Sequence, residues 1–204
     1  VYDAENLAFI LPAGKYIGNS RYKDVFAAST SADLTSYRNQ WGAETGLDVA
    51  LYRPVARYEL IAKDVKAFLN KLATGGLKGE SFTARVKYSD YLPTGYNLMD
   101  DVPKNSLMYM EYKVDFERPA DGTEELKLGF DYVLVSAGET ASIPVELEIL
   151  NEKNEVLART VLRIPCERGK NTTVRGNFLT SDVNGGIGID PGYDGDLEVD
   201  LGEL

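Results

Sequence analysis

Two pairs of carboxylates stand close enough in the chain to suggest acid and base work: Glu146 with Glu148, and Asp100 with Asp101. Glycoside hydrolysis needs two such groups flanking one bond, one to protonate the leaving oxygen and one to attack or to activate water. Glu146 and Glu148 lie two apart on a strand-like run and so point to one side, but that is the polar side, where a wet sheet face calls for charged residues anyway. Asp100 and Asp101 read as solvent-facing as well. Other chemistries lack parts. Histidine is absent from all 204 residues, which removes the usual base at neutral pH, the Ser-His-Asp and Cys-His systems and the commonest transition-metal ligand. The single cysteine, Cys166, has no second thiol or histidine to work with and reads as a small core residue at the end of a strand. The chain is therefore expected not to be an enzyme and to need no cofactor.

Binding chemistry has two candidate clusters. Asp190, Asp194 and Asp196, with Asp200 beyond them and Asp182 and Asn184 before, supply the hard oxygens that calcium prefers. Their spacing is not that of an EF-hand loop, and Pro191, Gly192 and Gly195 read equally well as turn residues. Tyr88, Tyr91 and Tyr96, in KYSDYLPTGYN, could form an aromatic platform for stacking sugar rings, with Asp90 and Asn97 as polar partners. Tyr88 falls on the apolar side of its strand, so at least one of the three is expected in the core.

The charge balance excludes a further class. Acidic residues outnumber basic ones 32 to 22, a net charge of -10 and the wrong sign for gripping a phosphate backbone. No stretch reaches the 18 or so consecutive apolar residues of a membrane-spanning helix. No basic n-region or apolar h-region opens the sequence, so any leader of the precursor is expected to lie outside it.

The elements that must position these residues are mostly strands. Before Pro54, LAFIL at 7–11 and DVFAAS at 24–29 are strand candidates separated by Gly-, Ser- and Asn-rich turns, and LDVALYRPVARYELIA at 47–62 is a long run broken by that proline. A proline cannot donate to a ladder, so Pro54 marks an edge, a bulge or a domain boundary. The expected division is 1–53, the C-terminal part of an incomplete N-terminal sandwich, and 54–204, a second sandwich. One helix is expected: Asp64 can cap it, Val65, Phe68, Leu69 and Leu72 share a face, and Gly75 and Gly76 stop it. After it the period is two, in Phe82–Tyr88, LMYMEYKVDFE at 107–117, Leu126–Leu134, a hairpin at 143–165 turning at NEKNE, TTVRGNFLT and GIGID. About seven short antiparallel strands point to an all-β sandwich with one short helix.

Three segments carry a resemblance: LYRPVARYELI at 51–61, RIPCERGKNTTVRGNFLTSDV at 163–183 and IDPGYDGD at 189–196. In order and spacing they resemble the fimbrillin-like surface proteins of Bacteroidales, the type V pilin superfamily. The resemblance implies a pair of transthyretin-like Greek-key β-sandwiches, exported as a lipoprotein to the outer membrane or a fimbrium. Its partners would be other fimbrial subunits or cell-surface proteins, joined by strand addition, in which main-chain hydrogen bonds supply the affinity. The family's lipobox cysteine and the first half of its N-terminal domain have no counterpart before Val1. Since the resemblance is bacterial, the glycosylation-like triplet Asn171-Thr172-Thr173 is read as chance. A structural or assembly subunit of fimbriae is the expected function, and a non-polymerising surface adhesin for glycan or host protein is the alternative.

Overall fold

In a computed structural model, residues 16–181 are described together with the backbone of three short terminal strands. The elements in chain order are β1 (Tyr2–Asp3), β2 (Ala8–Ile10), β3 (Val55–Ala62), α1 (Val65–Ala73), β4 (Ser81–Tyr88), β5 (Leu92–Asn97), β6 (Val102–Leu107), β7 (Glu111–Glu117), β8 (Leu126–Leu134), β9 (Thr140–Asn151), β10 (Val156–Glu167), β11 (Asn171–Gly176) and β12 (Asp194–Glu198). They form a front sheet in the order β10-β9-β4-β7, a rear sheet in the order β12-β11-β3-β8 and a side sheet in the order β1-β2-β5-β6. The mostly-β sandwich with one short helix is as the sequence predicts.

The alternating residues build the core between front and rear sheets. Tyr58 and Leu60 of β3 meet Phe82, Val86, Leu147, Ile149 and Ile164 of the front sheet in one buried cluster. Each large apolar side chain so buried contributes roughly 1.5–3 kcal/mol. α1 lays Val65, Phe68 and Leu69 onto this core, with the Phe68 ring edge-on to Phe82 at 5.0 Å. It ends at Gly75, whose φ of +76° suits a residue without Cβ. Asp64 does not cap the helix by its side chain. Its carboxylate instead accepts from the amides of Leu179 and Thr180 and from the Thr180 hydroxyl, at 2.8–3.2 Å, and so ties the chain after β11 to the start of α1.

Four strand expectations are corrected. DVFAAS forms only an isolated bridge, Ala27 with Tyr52, and residues 47–53 form no strand, because Leu47, Val49 and Leu51 have no sheet to bury against and stand 50–62% exposed. LMYMEYKVDFE splits into β6 and β7 at Tyr109, whose φ of +60° a strand does not accept. Leu126–Leu134 does not keep one apolar face. A bulge opposite Leu60/Ile61 reverses the alternation, so that Leu128 joins the inner core while Phe130, Tyr132 and Leu134 face outward. The expected strand GIGID lies outside the described residues.

Outward-facing Tyr132 and Leu134 are covered by Val55, by Tyr96 of the side sheet and by Val25 of the preceding segment, which form a second small core. The side sheet owes its position to the β5–β6 hairpin, inserted between the paired strands β4 and β7. Among the described residues no helix is long and apolar enough to cross a membrane.

Candidate functional site

The structure separates the residues that sequence spacing grouped. Tyr88 and Tyr96 are buried, 3% and 0% exposed, while Tyr91 is 62% exposed, so the three tyrosines share no surface. The Tyr88 hydroxyl donates to Asp131 at 2.6 Å and that of Tyr96 to Asp101 at 2.7 Å, which answers the need of a buried phenol for a partner. Of the calcium candidates, Asp190 lies outside the described residues. Asp194 and Asp196 stand on β12, opposite Arg175 and Thr173 in register, and their side chains too lie outside the described residues.

The reading of both carboxylate pairs as wet surface holds for Asp100, which is exposed, holds in part for Asp101 and Glu146, which are half-buried, and fails for Glu148. Glu148 is 1% exposed, because Arg85, Lys87 and Arg159 lay their stems over the outer face of the front sheet. Lys87 and Arg159 reach Glu148 at 2.9 Å each, and Arg85 donates through Nε at 2.7 Å. Burial alone would raise the Glu148 carboxyl, but these three cations outweigh it and hold it down to about 2. A group so ionised has no proton to give at neutral pH. Asp101 accepts from Tyr52 at 2.6 Å, from Tyr96 and from Arg168 at 2.7 Å, so it joins the β5–β6 turn, the segment before β3 and the β10–β11 turn. Desolvation opposes ionisation there, and the hydrogen bonds from Tyr52, Arg168 and Tyr96 still keep the carboxyl low. Asp100 is bound instead by Asn97.

A polar cluster missed by the sequence reading lies inside the sandwich. Asp131, fully buried, meets the Lys23 ammonium at 2.5 Å and accepts from the Tyr16 and Tyr88 hydroxyls at 2.6 Å each. Tyr58 continues the chain, 2.7 Å from the Tyr88 hydroxyl and 3.3 Å from that of Tyr112. Burial pulls the Lys23 ammonium below its ordinary range and the Asp131 charge opposes that pull. Strict alternation places Asp131 on the wet face, and the bulge turns it inward. The available signal was Gly129, an isolated glycine within a strand pattern.

The same segment closes one edge of the rear sheet. The Asn19 amide donates to the Phe130 carbonyl at 3.0 Å, and the Phe130 amide donates to the Asn19 side-chain oxygen at 3.3 Å, which occupies the free side of β8. The opposite edge is built differently. β11 is as buried as a central strand, with Thr172, Thr173 and Val174 at most 1% exposed, and it pairs in parallel with β3 on one side. On its other side, among the described residues, stands β12, five residues paired antiparallel with Asn171–Arg175. The front sheet instead ends in β7, whose outward Glu111, Lys113, Asp115 and Glu117 protect it with charge.

The model of a family of unknown function, DUF6562, matches residues 1–202. No curated protein matches the chain. Among solved structures, one from Bacteroides ovatus, described as that of a candidate cell adhesion protein, is similar over 74% of this chain and 45% of that one, with 13% identity and a TM-score of 0.35. The chain thus spans under half the length of that protein.

Proposed function

The chain belongs to DUF6562, a family of unknown function, and we propose that it is a structural or adhesive module of the cell surface that associates by strand addition at β11. The observation that carries this reading is the pairing of β12. A short terminal strand held along one edge completes a strand that is otherwise built for the interior of a sheet, and another chain's strand can make the same main-chain hydrogen bonds. The three segments that resemble fimbrillin-like proteins support it, since LYRPVARYELI supplies β3, RIPCERGKNTTVRGNFLTSDV supplies β11 and IDPGYDGD runs into β12. They are the three adjacent strands of this edge. On this reading the chain works at the outer membrane or in a fimbrium, does no chemistry, and divides at Pro54 into the end of one sandwich and a second.

The test uses a chain ending at Ser181 and a labelled peptide of residues 189–200. Saturable uptake of this peptide, with none of a scrambled one, is the expected result, and immunogold label along filaments of the producing cells would extend it to fimbriae. A chain that ignores the peptide, on cells that label diffusely, rules out strand addition. It would leave the second reading, a non-polymerising adhesin. That reading is favoured by one observation, the exposure of Trp41 (100%) beside a segment that also exposes Leu34, Leu47, Val49 and Leu51.

A further inference from the structure

The outer face of the rear sheet holds a cleft of about 430 Å³ that none of the sequence motifs indicates. Its floor comes from Arg57 of β3 beside its cross-strand neighbour Tyr132, and from Phe130; the two aromatic residues of β8 face outward because of the bulge. One wall is the segment before β3, with Arg21, Asp24 and Arg53. The other is the β10–β11 turn, where the Gly169 amide donates to the Val55 carbonyl and brings Lys170 and Asn171 over β3.

Its charge runs against that of the whole molecule. Arg21, Arg53, Arg57, Lys127 and Lys170 surround it in a chain of net charge -10. Three carboxylates answer these five cations. Asp24 accepts from Arg53 at 2.8 Å, Glu59 takes Arg57 at 2.9 Å and Lys127 at 2.6 Å, and Glu167 holds Lys170. Two positive charges stay in excess, and the Arg21 side chain makes no hydrogen bond or ion pair with the described residues. Tyr132 is the second observation. It is 8% exposed, its ring lines the cleft, and its hydroxyl has no hydrogen-bond partner among the described residues. Buried phenols are nearly always hydrogen-bonded, so an orphan aimed into a basic cleft is placed for a partner from outside.

We infer that this cleft binds an acidic sugar, a saccharide ring bearing a carboxylate or sulfate. The anion is met by the Arg21 guanidinium and the excess charge of Arg57 and Lys127, and a ring hydroxyl meets the hydroxyl of Tyr132. Guanidinium forks match carboxylate and sulfate oxygens in pairs. The volume is that of a small-molecule site and exceeds what a bare anion fills. The half-buried Phe130 ring carries Arg57 and Lys127 over it at 4.9 and 5.0 Å and so holds both cations in the cleft. A nucleic acid fits poorly, since the acidic remainder of the surface repels a long polyanion.

The inference is independent of strand addition. It is tested by calorimetric titration of the full chain with glucuronic acid, a sulfated uronate disaccharide, glucose and sodium sulfate. The acidic sugars are expected to bind, with glucose and sulfate each at least tenfold weaker. Tyr132→Phe, which removes only the hydroxyl, and Arg21→Ala, an exposed change, should each weaken binding by about tenfold while leaving the melting temperature within about 2 °C. Sulfate binding as tightly as the sugars makes the cleft an anion site only and overturns the assignment, and so does glucose binding as tightly. Unchanged binding in both variants, or no binding of any probe, overturns the cleft itself.

Discussion

Lys23 and Asp131 meet at 2.5 Å inside the sandwich, 6% and 0% exposed, although they lie far apart in the chain. Lys23 stands on a single 3-10 turn, Arg21–Lys23, and Asp131 in the interior of β8. Desolvating two ions costs several kcal/mol, which the pair recovers only because the Tyr16 and Tyr88 hydroxyls and the Tyr132 amide complete the shell of Asp131. Lys23→Met leaves that carboxylate charged and unpaired, with an expected loss of about 3–5 kcal/mol in urea unfolding. Adding Asp131→Asn should restore most of the loss. Equal stability of the single variant and the parent would show that the pair does not hold the segment.

Glu148 sets the acid limb of stability. Its carboxyl, held to about 2 by Lys87, Arg159 and Arg85 against the cost of burial, lies below its ordinary value of 4.5. On acidification the unfolded chain takes up this proton first, so the stabilisation is complete above pH 4.5 and is lost as the pH falls toward 2, worth about 3 kcal/mol in all. Glu148→Gln should be less stable than the parent at pH 7, with the gap closing below pH 4. Urea midpoints of both proteins across pH 2–7 measure this, and parallel curves would refute it.

How much of this was legible in the sequence depends on which neighbour decided each residue. β4, β9 and β10 follow from alternation alone, since each has one face on a core and one outside. α1 follows from the spacing of Val65, Phe68 and Leu69. The polar hubs were not legible. Nothing local tells Glu148 that Arg85 and Arg159 will cover it from two other strands, or Asp101 that Tyr52 and Arg168 will reach it from 49 and 67 positions away. The basic cleft was hidden for the same reason, since its cations arrive from separate parts of the chain and their sum is lost in an acidic composition.

Gly129 is where the alternation of β8 turns over, and it is testable alone. Its φ of +152° is a conformation open to glycine, and a Cβ there would stand 3.2 Å from Tyr112 and from Val114. Gly129→Ala therefore strains the bulge and crowds the core at once, with an expected loss of about 2–4 kcal/mol. The same change should displace Phe130 and Tyr132 from the cleft, so near-ultraviolet circular dichroism of the tyrosines should change with it. A variant as stable as the parent, with an unchanged spectrum, would mean that β8 tolerates the ordinary register.

Cys166 offers a measure of how the core opens. Its side chain is fully buried at the end of β10, and desolvation first, with the charge of Asp131 second, pushes the thiol up to about 12. The thiolate is the reactive form, so at pH 8 both access and ionisation protect it. In the native protein a thiol-reactive disulfide reagent should report almost no reaction over an hour, and one equivalent should appear once urea unfolds the chain. If opening of the whole sandwich exposes the thiol, Lys23→Met should speed native-state labelling in proportion to its loss of stability. A thiol that reacts rapidly in the folded parent would instead place Cys166 at a locally fraying end of β10, with a rate indifferent to the Lys23–Asp131 pair.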